Sequence, residues 1–177
     1  MEKTKKLMYM SLLVAMALML HIVERNIPIP FITPGAKLGL TNLVTVIALY
    51  TMPDLKDVFK IVCVRIVLST IFGGHISSLL YSSVGALFSF IAMVVIKKLG
   101  KESVSIIGVS TAGAVFHNVG QILVACLIVW NIGVTLYLPV LTIAGIGTGI
   151  FVGMAANYIT VHMYKLPFFK NMSKEKR

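Results

Sequence analysis

The stretch Ile76-Ser-Ser-Leu-Leu-Tyr-Ser-Ser-Val-Gly-Ala-Leu-Phe-Ser-Phe-Ile-Ala-Met-Val-Val-Ile96 holds no Asp, Glu, Lys, Arg or His and ends on Lys97-Lys98. At 1.5 Å per residue a helix over it is about 31 Å long, the thickness of a bilayer's hydrocarbon core. An uncharged run of that length closed by two lysines reads as a membrane-spanning helix. Working back from it, Gly73-Gly74 breaks a helix expected over about Asp57–Phe72, and Pro53-Asp54 marks the turn before that. Upstream lie a short apolar helix over about Leu38–Met52 and a first helix over about Leu7–Val23. Working forward, helices are expected over about Ser105–Trp130 and about Leu136–Tyr164, ahead of Pro167. The expected fold is an all-α integral membrane protein, a bundle of about six transmembrane helices forming a single transmembrane domain over residues 1–177.

Composition agrees. Of the 177 residues, 58% are hydrophobic and 12% charged, and the mean hydropathy is +0.94. A soluble domain carries about 25% charged residues to dress its surface. The net charge of +10 raises nucleic acid as a partner. The basic residues, however, cluster between and beyond the apolar stretches, as topology signals do, so no nucleic-acid surface is expected. Cys63 and Cys126 lie inside apolar stretches without CxxC or Cys/His spacing, so neither a disulfide framework nor a metal site is supported. Lys3, Lys5 and Lys6 ahead of an apolar run resemble the start of a signal peptide. No small-x-small site follows, and the run reads as a retained helix.

Lysine and arginine placement sets the expected orientation. With both termini cytoplasmic, thirteen Lys/Arg fall on the inner side, two (Arg25 and Lys37) on the outer side, and Arg65 lies within a helix. That bias follows the positive-inside rule at every loop and predicts a multi-pass protein of the inner, cytoplasmic membrane. No polar segment is long enough for a catalytic or nucleotide-binding domain, and no Walker A motif is present. Transport against a gradient would draw on a partner or an ion. No cofactor is expected.

An ionisable residue inside a membrane helix is costly, and so points to function. Arg65, in Ile-Val-Cys-Val-Arg-Ile-Val-Leu-Ser69, sits midway along its helix. A buried guanidinium suits a bidentate anion such as a carboxylate or phosphate; a lock onto backbone carbonyls or Glu24 is the structural alternative. His117, Asn118 and Gln121 are expected on one face of the fifth helix, as ligand contacts or as interhelical glue. The segment Asn26-Ile-Pro-Ile-Pro-Phe-Ile-Thr-Pro-Gly35 cannot be regular helix, because three prolines each remove a donor. With Lys37 and Asn42 beyond it, it reads as an outer loop over a pocket or as an ordinary external loop. Two small-residue steps concern packing. Gly145, Gly149 and Gly153 form a GxxxG stripe read as an intramolecular seam, and Ser11 with Ala15 forms a shorter step, read as a seam or as a docking groove for a partner helix.

The run Pro34-Gly-Ala-Lys-Leu-Gly-Leu-Thr-Asn-Leu-Val-Thr-Val-Ile-Ala-Leu-Tyr50, then Gly113-Ala-Val-Phe-His-Asn-Val-Gly-Gln121 and Tyr137-Leu-Pro-Val-Leu-Thr-Ile-Ala-Gly145, resemble the heptaprenyl diphosphate synthase component I family, also called the Gx transporter family. The likeness runs from Lys6 to about Ile159. That family in turn resembles the substrate-binding S components of energy-coupling factor transporters. The resemblance implies a six-helix bundle that captures a small molecule, with a separate transmembrane coupling protein and ATPase subunits driving uptake. It implies partner docking at small residues of helix one, which Ser11 and Ala15 match, while Met19 departs from the pattern. The synthase name implies instead a component of prenyl diphosphate synthesis. Such synthases hold magnesium with DDxxD motifs. Here only Asp54 and Asp57 occur, so on this alternative reading the chain is a non-catalytic accessory of isoprenoid or quinone side-chain synthesis rather than an enzyme; the expected function is the first, a substrate-binding component that captures a small anionic solute for uptake.

Overall fold

The computed structural model describes residues 3–27, 39–73, 76–101 and 103–166. Six α-helices follow in order: α1 Lys3–Arg25, α2 Asn42–Thr51, α3 Leu55–Gly73, α4 Ile76–Gly100, α5 Ile106–Val129 and α6 Leu138–Met163. A 3₁₀ segment, Ile132–Tyr137, leads into α6, and no strand occurs among the described residues. The fold is the all-α bundle that hydropathy predicts. Among the described residues, four stretches are long and apolar enough to cross a membrane: Lys3–Arg25, Leu79–Gly100, Ile106–Val129 and Ile132–Met163. Helix α3 falls outside this set because Lys56, Asp57, Lys60 and Arg65 charge it. Helix α2 is too short.

Local chemistry sets several of the ends. Ser105 caps α5 by accepting a hydrogen bond from the Gly108 N–H at 3.2 Å, and Trp130 closes that helix in the left-handed region at φ 52°. Met52 is extended (φ −88°, ψ 140°) because the ring of Pro53 excludes helical backbone from the preceding residue. At the other end α2 begins at Asn42 rather than at Leu38, since Gly39 turns the chain with φ +83°. The proline-rich segment ahead of it lies at positions 28–38, outside the described residues.

Helix α2 is the hub. It packs against all five other α-helices, and Val44, Thr45, Val46, Ile47, Ala48 and Leu49 are each at most 1% exposed. A helix apolar on every side belongs in a core. At ten residues it covers about 15 Å, half of a bilayer's hydrocarbon thickness. Its Thr51 end is tied on three sides. Thr51 shares a 2.7 Å hydrogen bond with Tyr9 of α1, Lys97 of α4 donates to the Leu49 carbonyl, and the Tyr164 hydroxyl donates to the Tyr50 carbonyl. Beyond that end, Lys6 pairs with Asp54 at 3.0 Å and with Asp57, and Lys60 pairs with Asp57 at 3.0 Å.

Glycine brings α4, α5 and α6 together. A Cβ at Gly149 would stand 2.5 Å from Thr111 Cα, one at Gly153 2.7 Å from Ile107 Cα, and one at Gly145 2.7 Å from Asn118 Nδ2. The GxxxG stripe is therefore the α5–α6 seam. Gly120 makes the corresponding approach to α4, where a Cβ would lie 2.9 Å from the Val84 carbonyl oxygen. The outer faces stay apolar. Leu7, Met8, Leu12 and Ile22 on α1 and Ile143, Phe151, Met154 and Tyr158 on α6 are all exposed, as lipid-facing side chains are.

Candidate ligand site at a buried arginine

Because α2 stops halfway, its polar first residue lies at the depth of polar residues in the middle of its neighbours. Asn42 is nine residues from the Thr51 end of α2, Arg65 ten from Leu55, and His117 eleven from Ile106. All three thus sit about 14 to 17 Å along their helices from the Lys6 end of the bundle.

Arg65 is 5% exposed. Its Nη2 donates to Asn42 Oδ1 at 3.3 Å, while Nε and Nη1 have no hydrogen-bond partner among the described residues. The ion pairs among the described residues leave Arg65 out. Glu24, whose charge acts on Arg65, spends its Oε1 on the Gly39 and Leu40 backbone N–H groups instead. A guanidinium offers five donors, and burying them unmatched carries the full desolvation cost. The expected alternative, a lock onto backbone carbonyls or Glu24, is not what the described residues form.

His117, 4% exposed, stands across from Arg65. Gln121 Nε2 lies 3.0 Å from His117 Nε2; the amide can only donate, so the ring nitrogen accepts. Two glycines clear space for the ring. A Cβ at Gly85 would come within 2.8 Å of His117 Cε1, and one at Gly39 within 3.3 Å of Cδ2. Asn118 departs from the expected common face. Its Nδ2 donates to the Leu141 carbonyl of α6 at 2.6 Å, so it acts as interhelical glue while its two neighbours on α5 look the other way. One residue step rotates a helix by about 100°, enough to move a side chain from one contact to the next.

Arg65 and His117 line one small cavity together with Ala17, His21, Thr41, Ile66, Ser69 and Ser82. Next to it lies a larger cavity of 540 Å³ bordered by Leu18, His21, Ile22, Arg25, Asn26, Ser69 and Phe72. His21 and Ser69 belong to both. Sequence reasoning passed over both of these, though spacing could have found them. Leu13, Ala17, His21 and Glu24 make the buried stripe of α1, and Ser69 stands one turn beyond Arg65. Lys37 lies outside the described residues. Ser11 and Ala15 are exposed on the opposite face of α1. No group of residues suited to a metal occurs among the described residues.

A polytopic, all-helical protein with a buried cationic centre is the class that this fold and site define. Its family is shown by the sequence as a whole: residues 13–159 match the model of the family described as heptaprenyl diphosphate synthase component I, and the chain belongs to that family. Comparison with curated proteins and with solved structures returned no match.

Proposed function

We propose that this chain is a non-catalytic membrane component that binds a small anionic solute at Arg65 and passes it to a separate ATP-driven coupling complex for uptake. The observation that carries the reading is the guanidinium itself, 5% exposed, with two nitrogens unmatched among the described residues, on a side chain that lines a small cavity together with His117. An ionised carboxylate or phosphate would accept from both nitrogens at once. His117, Gln121 and Asn42 would orient it. The lysine and arginine distribution supports cytoplasmic termini in the inner membrane, which puts the Glu24 end of the bundle outside and the site within reach of external solute. Ser11 and Ala15, exposed on α1, would meet the coupling protein.

A second reading is favoured by the family match, which supports it more directly than it supports uptake: a component of heptaprenyl diphosphate synthesis. No Asp-rich motif accompanies Asp54 and Asp57, so the chain would serve a catalytic partner by holding or presenting a phosphate-bearing compound. Both readings place the anion at Arg65. Purified protein should show a thermal shift with inorganic diphosphate that Arg65→Gln abolishes; the absence of any shift with phosphates or carboxylates would overturn the site. Co-purification then separates the readings. A membrane coupling protein with ATPases supports uptake, and a soluble prenyl synthase supports the accessory role.

A further inference from the structure

Among the described residues, the buried charges around the Arg65 cavity cancel one another. Arg65 of α3 brings a positive charge, and Glu24 of α1, also buried, acts on it electrostatically. Glu24 Oε1 accepts from the Gly39 and Leu40 N–H groups, contacts that suit an ionised carboxylate. On α5, His117 Nε2 accepts from the Gln121 amide, so that nitrogen carries no proton and the ring is neutral. The other histidine of the lining is His21 of α1. Toward His117 the remaining helices present no group that ionises near neutral pH. Helix α4 gives Ser82 and Gly85, and the start of α2 gives Thr41 and Asn42. Helix α6 reaches α5 through Asn118, and its own His162 sits against the Tyr158 carbonyl near the Thr51 end of the bundle. Arg25, an exposed residue, borders only the adjoining cavity.

An anion docked on Arg65 leaves this site with a net negative charge, and an uncompensated buried charge is costly. One added proton removes it. His117 is the group placed to take that proton, because its ring lines the same cavity as Arg65. It also packs beside the residue that holds the guanidinium: a Cβ at Gly39 would stand 3.0 Å from Asn42 Nδ2 and 3.3 Å from His117 Cδ2. The neutral ring keeps its one proton on Nδ1, so the second adds at Nε2. Gln121 serves both states, since its amide turned over offers Oε1 as an acceptor where Nε2 had donated.

We infer that each anion bound at Arg65 enters together with a proton, which His117 takes at Nε2. This rests on the anion site proposed above and gives that site a second ligand. Because the complex holds one more proton than the unbound protein, affinity falls as pH rises, by up to about tenfold per pH unit. An imidazole ordinarily titrates near pH 6.5, within reach of such a coupling. Capture is then favoured on the more acidic side of the membrane and release on the other.

Ring-nitrogen chemical shifts of the full chain, labelled with ¹⁵N-histidine in one detergent at about pH 7.5, report the proton directly. His21→Gln and His117→Gln assign the signals and need no ligand to do so. The probes are inorganic diphosphate and, separately, succinate. Expected is a neutral His117 without anion and an imidazolium at saturation with whichever probe binds, while His21 keeps its state. Succinate holds a constant charge above about pH 7, so its affinity, where it binds, should weaken close to tenfold from about pH 7 to pH 8. A His117 that stays neutral with anion bound would overturn the proton and leave the anion site standing. So would a proton gained by His21 instead, or an imidazolium already present at His117 without anion. Binding of neither probe would remove the anion site and this inference together.

Discussion

Replacing Arg65 with methionine separates a binding arginine from a structural one, because the two roles predict opposite signs for stability. Arg65 Nε and Nη1 are buried without partners among the described residues. Removing two such donors relieves about 2–6 kcal/mol at about 1–3 kcal/mol each. Against this stands one hydrogen bond, Nη2 to Asn42 Oδ1 at 3.3 Å, worth about 1.5–3 kcal/mol for a charged donor. The balance for Arg65→Met runs from roughly neutral to about 4 kcal/mol stabilising, the range found when buried ionic groups give way to well-packed apolar ones. Asn42, 1% exposed, is left with a stranded amide, so Arg65→Met combined with Asn42→Leu should be at least as stable as Arg65→Met alone. The assay is thermal unfolding of purified protein in one fixed detergent, with and without diphosphate. At about one hundred times its dissociation constant the ligand should stabilise the wild type by about 2.7 kcal/mol and leave both variants unmoved. A fall of several degrees in the melting temperature of Arg65→Met, not restored by Asn42→Leu, would show that the guanidinium is a structural tie, and the ligand site would fall with it.

Further outcomes follow from the packing. Gly149→Ala should destabilise by about 1–3 kcal/mol, as overpacking does, because its Cβ meets the α5 backbone at 2.5 Å. Gly147→Ala, with nothing within 4 Å, should be neutral or gain up to about 1 kcal/mol of helix propensity; equal shifts for the two variants in thermal unfolding would contradict the seam. Asn118→Ala should cost about 1 kcal/mol of stability for its lost bond to Leu141 yet hold diphosphate affinity within about twofold, and a large loss of affinity would return Asn118 to the ligand. Asp57→Asn should lower stability by about 1–3 kcal/mol, since it weakens the pairing of a buried carboxylate with Lys6 and Lys60. Paired Asp57→Asn and Lys6→Met variants read in a double-mutant cycle check that coupling. Single-cysteine labelling at positions 3 and 101 should report both on the cytoplasmic side, and opposite accessibility of the two would refute the proposed orientation.

Much of the site was legible one helix at a time. Arg65 stands out because a charge in an apolar run is costly wherever it points, and His117 and Gln121 share a face by helix arithmetic. What spacing could not supply was the partner of each group. Asn118 looks equivalent to His117 in sequence, yet the close approach at Gly145 and Gly149 turns it toward the Leu141 carbonyl. Glu24 reads in sequence as a candidate partner for Arg65, yet its Oε1 accepts from the backbone N–H groups of the turn at Gly39 and Leu40. His21 and Ser69 gain meaning only because α1 lies beside α3.

From its sequence alone this protein was already a six-helix membrane protein with an arginine inside an apolar run, and its α6 glycine stripe a packing seam. These properties depend on runs of neighbouring residues, through hydrophobicity, helix length and proline or glycine breaks. The tertiary structure decided that the shortest helix is the hub, that Asn42, Arg65 and His117 stand at one depth, and that the cavity at Arg65 adjoins a larger cleft between α1 and α3. Those outcomes depend on how far each helix is rotated and shifted against the others. That is set by glycine contacts and side-chain volumes between residues far apart in the chain, where no local pattern reaches.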